Sequence, residues 1–156
     1  MSASGPIQNS VVQTSHYTWC LGCTIEWDRI SGSGDMGAAA SWKDGEHWYI
    51  LRRVNSEQQP VTTPTNSDEV RVIHEGGTVS AVWAIGNNAI CKVYYWSSDI
   101  TSECETVKFI QERAPKVPVP EVIYSWVDGN LLQPAPGLAE LHTRPKRPLY
   151  QSITLR

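Results

Sequence analysis

This chain lacks the roughly 18 consecutive apolar residues that a membrane-crossing helix needs. Its opening Met1-Ser2-Ala3-Ser4-Gly5-Pro6 has neither the basic start nor the apolar stretch of a secretory leader. It has no surplus of positive charge: the formal net charge is -3, which argues against nucleic acid as a general partner. Cysteine is scarce, with Cys20, Cys23, Cys91 and Cys104 the only four. Cys20 and Cys23 form a lone C-x-x-C, with neither a second such pair nor two late histidines to complete a four-ligand zinc site. They read as ordinary cysteines, zinc or redox chemistry being the alternative. Cys91 and Cys104 read as small buried hydrophobes. Together these absences predict a cytoplasmic protein with reduced thiols and no membrane partner. What is present is ordinary globular composition, 40% hydrophobic and 19% charged over 156 residues, which excludes wholesale disorder and suits one domain with a real core.

Three regions differ in pattern. Residues 1–69 read as a partly ordered N-terminal extension. Ser31-Gly32-Ser33-Gly34-Asp35 is a flexible loop with Trp19, Trp27 and Trp42 around it. His47–Val54 is aromatic and β-branched and reads as a strand, and Gln58–Asp68 as a linker. In residues 70–128 the pattern sharpens. Glu69–His74, Val79–Ile85 and Ala89–Trp96 read as strands joined by Gly76-Gly77 and by Gly86-Asn87-Asn88, turns short enough to force an antiparallel meander. A helix near 100–114 follows, with Ser102 and Glu105 spaced as a capping box and Ser98 or Asp99 as other cap candidates. Val107, Ile110 and Ala114 make its apolar stripe, and Pro115 ends it. Val117-Pro118-Val119-Pro120 is an extended connector into a fourth strand, Glu121–Val127. Residues 129–156 hold Pro134, Pro136, Pro145 and Pro148, one acid (Glu140) and four bases, and read as a loose Pro-rich basic tail. Leu149–Leu155 is a candidate short strand within it. The expected fold class is α+β: a small antiparallel sheet with one packed helix.

The chemistry centres on Lys92 and Glu103. Ile90, Lys92 and Tyr94 share one side of their strand by period-two alternation. Glu103 lies four residues before Val107 and seven before Ile110, on the helix face that meets the sheet. A carboxylate directed inward needs a cation, and Lys92 is the one facing it. The bland account leaves Lys92 snorkelling to an edge and Glu103 at a frayed first turn. Glu105, Lys108 and Glu112 fall on the opposite, solvated face. Upstream, Gly76-Gly77-Thr78-Val79-Ser80 offers flexible backbone N–H groups of the kind that close over phosphates, although it lacks the G-x-G-x-x-G pattern and such turns are usually only turns.

Val70–Val127 resembles the N-terminal lobe of the aminoglycoside-phosphotransferase-like, or kinase-like, superfamily, and within it the large fungal branch. The residues that carry the likeness are H-E-G-G-T-V-S-A-V-W-A-I-G (74–86), A-I-C-K-V-Y-Y-W (89–96), S-E-C-E-T-V-K-F-I (102–110) and V-P-V-P-E-V-I-Y-S-W (117–126). The resemblance implies that Lys92 holds the α- and β-phosphates of ATP, that Glu103 orients it, and that Gly76, Gly77 and Ser80 lie in the covering loop.

The departures are equally specific. The family's next strand, leading to the adenine-binding hinge, should follow Asp128, where this chain has Leu131-Leu132-Gln133-Pro134-Ala135-Pro136. None of His16, His47, His74 and His142 is followed two residues later by aspartate, and no aspartate follows Asp128, so the family's catalytic and Mg²⁺-binding aspartates have no counterpart. The expectation is a truncated lobe of an ATP-dependent small-molecule kinase, inactive alone, with no catalytic or metal residues and with nucleotide bound weakly at most. The alternative is a non-catalytic interaction module that uses an exposed sheet edge or a surface of its seven tryptophans. A role for the basic tail with nucleic acid or anionic membrane is the thinnest reading.

Overall fold

The computed structural model describes residues 11–22, 24–32, 37–54, 69–76, 80–99, 101–132 and 135–143. These form two antiparallel sheets and one helix. The first sheet contains β1 (Val11–Ser15), β2 (Thr18–Leu21), β3 (Ile25–Ser31), β4 (Ala40–Asp44) and β5 (His47–Arg53), in the order β1-β2-β3-β5-β4. The second contains β6 (Val70–Gly76), β7 (Ser80–Ile85), β8 (Ala89–Tyr95), β9 (Val122–Leu132) and β10 (Ala135–Thr143), in the order β6-β7-β8-β10-β9. Helix α1 (Glu103–Arg113) connects β8 to β9. The α+β fold with one packed helix is as the sequence predicts. No helix among the described residues is long and apolar enough to cross a membrane.

The two sheets share one core. Alternate residues of the first sheet, Trp19, Leu21, Ile25, Trp27 and Leu51, bury against Ala81, Trp83, Ile85, Cys91, Val93, Ala139 and Leu141 of the second. Polar contacts tie the sheets at the margins. Tyr49 donates from its hydroxyl to Glu69 Oε1 at 2.8 Å, and Glu69 also pairs with Arg29 at 2.9 Å. Asp44 Oδ2 accepts the Asn87 N–H at 2.7 Å. Gly86, at φ 58°, turns the β7–β8 hairpin beneath Asp44, and a Cβ there would collide with that carboxylate.

Two segments differ from the sequence reading. The first region, expected as a partly ordered extension with a strand near 47–54, contributes the five strands β1–β5 of one sheet among its described residues. Its signal was the alternation Trp19/Leu21 and Ile25/Trp27. Residues 135–143, expected within a loose tail, form β10, which inserts between β8 and β9. Both of its faces are covered, by the first sheet and by the helix side, so its polar positions, Glu140 and His142, are buried and do not mark a solvent face; prolines and bases around it dominate the composition. The candidate strand Leu149–Leu155 lies outside the described residues, as does Cys23.

Candidate functional site

Helix α1 begins where the sequence places it, and every early N–H has a partner. Ser102 is the N-cap: its Oγ accepts the Glu105 N–H at 3.1 Å, and Glu105 Oε2 accepts the Ser102 N–H at 3.2 Å. The remaining orphan donors of the first turn are satisfied from the sheet. Tyr94 OH accepts from the Glu103 N–H at 3.4 Å, and Glu140 Oε1 accepts from the Cys104 N–H at 2.9 Å. Two strands, β8 and β10, thus hold the helix by its positive end, where carboxylates are favoured.

Around that end lie the predicted residues. Lys92 Nζ contacts Glu103 Oε2 at 2.5 Å, so the lysine and the glutamate meet. The pair is not buried in the way a sheet-facing stripe suggests. The Lys92 side chain is 29% exposed and that of Glu103 49%, because Glu103 is the first helical residue and overhangs the sheet. The fully buried anion is another residue, Glu140, which is paired in register with Lys92 across β8 and β10 and is 0% exposed. His142, 2% exposed, lies on the same face of β10. Its Nε2 is 3.5 Å from Glu140 Oε2 and 4.0 Å from Glu103 Oε2. Sequence reasoning used Glu140 only as a charge count, and weighed His142 only as an insufficient zinc partner and as a histidine without the catalytic motif's aspartate. The available signal was their period-two spacing in Leu138-Ala139-Glu140-Leu141-His142.

Electrostatics at the site follow from burial and donors. Burial alone would push the Glu140 carboxyl up; the facing His142 imidazole, the Cys104 amide and the Tyr94 hydroxyl outweigh it and hold that carboxyl below the ordinary range. Burial pushes the Tyr94 phenol up, and the neighbouring Glu140 carboxylate adds to this. Cys91, on the opposite face of β8, is pushed up to about 12 by burial first and Glu140 second.

The glycine-turn residues are placed in part. Gly76 ends β6 opposite Ser80, the first residue of β7. Ser80 is in turn opposite Tyr94, and Val82 opposite Lys92, two cross-strand pairs further along. Gly77 lies outside the described residues. The tryptophans offer little surface: Trp19, Trp27, Trp42, Trp83 and Trp126 are buried, and Trp48 and Trp96 are half-buried. Comparison with protein-family models, with curated proteins and with solved structures finds no match to this chain.

Proposed function

We propose that the helix-covered face of the β6–β10 sheet is the phosphate-holding half of a kinase-like nucleotide site. Lys92 contacts the α- and β-phosphates of ATP, Glu103 orients the ammonium, and the Gly76–Ser80 turn covers the phosphates. The observation that carries this reading is the Lys92–Glu103 contact at the N-terminus of a helix that follows the lysine strand. β10 supports it further, because a strand does follow β9 and lies beside the lysine strand, where the sequence alone offered only a tail. Residues 129–156 contain no aspartate, so they do not fit a Mg²⁺-nucleotide centre and no transfer step is assigned to this chain. Binding is weak and turnover absent. Titration of ATP into the full chain, followed by ³¹P line broadening, tests this. Weak binding lost in Lys92→Met is expected. Equal behaviour of wild type and Lys92→Met overturns the phosphate role, and tight Mg-ATP binding or turnover overturns the half-site.

One observation favours the interaction-module reading in its edge form. Ile73 and Val127 lie on the two outer strands of the second sheet, β6 and β9, and are 46% and 48% exposed. The tryptophan form of that reading loses five of its seven rings to burial.

A further inference from the structure

We propose that Glu103, Glu140 and His142 bind a divalent transition-metal cation of the Zn²⁺ type. The argument begins with two orphaned atoms. Glu140 Oε2 and His142 Nε2 are both buried, face each other at 3.5 Å, and have no hydrogen-bond partner in the structure. That separation is long for a hydrogen bond, whose usual range ends near ~3.2 Å. A cation placed between the two atoms satisfies both in this dry space.

Glu103 Oε2 completes the triangle. One ligand atom from each of the three residues lies within 4.8 Å of the other two. Two ligands on a tetrahedral zinc are separated by about 3.4 Å, given metal–ligand distances of roughly 2.0–2.2 Å. The observed 3.5 Å and 4.0 Å therefore close onto an ion with small side-chain movements. An imidazole with two carboxylates suits zinc or cobalt; the hard cations Ca²⁺ and Mg²⁺ prefer oxygen alone.

The set of ligands points the same way: two carboxylates and an imidazole face a single ammonium, Lys92. The ammonium occupies Glu103 Oε2, the very atom that an ion would share. Lys92 and the cation therefore compete for Glu103. This inference stands apart from the phosphate reading, and the two respond oppositely to the same substitution: Lys92→Met removes nucleotide binding but tightens the metal.

The test is titration of the full chain with Zn²⁺ alone by calorimetry, and with Co²⁺ alone by visible absorption. A single saturable site is expected, with cobalt ligand-field bands of an N/O environment. Glu103→Gln leaves the buried groups intact and retains the fold, and it weakens binding by at least the ~10- to 100-fold that even outer-sphere changes cost. His142→Asn does the same, Lys92→Met tightens binding, and His74→Asn, on the exposed β6, leaves it unchanged. Failure to bind either ion, binding that survives both Glu103→Gln and His142→Asn, a Lys92→Met variant no tighter than wild type, or an intense thiolate charge-transfer band would each overturn the proposal.

Discussion

The two faces of the second sheet are built from the same strands and obey opposite rules. Toward the first sheet, Ala81, Trp83, Ile85, Cys91, Val93, Ala139 and Leu141 form an apolar surface. Toward α1, the intervening residues of β8 and β10 include Lys92, Tyr94, Glu140 and His142 beside the apolar Ile90 and Leu138. The apolar face is non-directional: it stabilises by area removed from water and would accept many packings. The polar face is directional. Lys92, Tyr94 and Glu140 each meet a particular atom at the helix start, so this face sets the helix position at a cost in desolvation. The lesson is a division of labour: stability comes from one face, and orientation and chemistry from the other.

Substitutions on the two faces should separate these roles. The largest effect is expected for Trp83→Ala in the apolar layer, about 3–5 kcal/mol of lost stability by urea unfolding. A loss below that of any polar-face variant would break the comparison. Next is Glu140→Ala, about 2–3 kcal/mol, because the Cys104 N–H loses its acceptor inside the protein. This carboxyl is held below its ordinary value of 4.5, so its contribution is fully present above that pH and is lost as pH falls through the lower folded value. The acid limb of the unfolding profile should therefore flatten in the variant. Ser102→Ala removes the N-cap and should cost about 1 kcal/mol in the same assay.

Smaller still is Lys92→Met. The pair with Glu103 is substantially exposed, so the loss should stay within about 1 kcal/mol while ligand binding changes. A large loss would mean that this pair, and not Glu140, anchors the helix. The smallest effect at neutral pH concerns Cys91. Its thiol is raised from 9.0 to about 12, so the folded chain should not react with a thiol reagent at neutral pH. The fold favours the neutral thiol. Its contribution is therefore intact below pH 9 and lost as pH rises toward 12, where an alkaline unfolding limb absent from Cys91→Ala checks it.

How far the sequence was legible follows from the same asymmetry of faces. The β6–β8 meander could be read because tight turns with Gly86 and two asparagines punctuate it. The Lys92–Glu103 contact could be read because a charge breaks an otherwise apolar stripe, and the Ser102–Glu105 box because its geometry is entirely local. β10 could not, since both its faces are covered, its two alternating polar residues are buried, and its pairing with β8 spans 48 residues, from Lys92 to Glu140. Glu140 and His142 were hidden with it. The exposure of Glu103 was misjudged for a different reason: periodicity gives the direction of a side chain from the helix axis, but not how far the helix end projects past the sheet.

The insertion of β10 between β8 and β9 has a consequence for synthesis. When the ribosome has released the chain through α1, β8 has β7 on one flank and nothing on the other, and β9 emerges before the strand that will bind it. Closure of the second sheet waits for residues 135–143, which pair locally with β9 and over a long separation with β8. Until then an unpaired strand flank is available to other nascent chains, and the assembly step is slow for its size because it joins distant parts of the polypeptide.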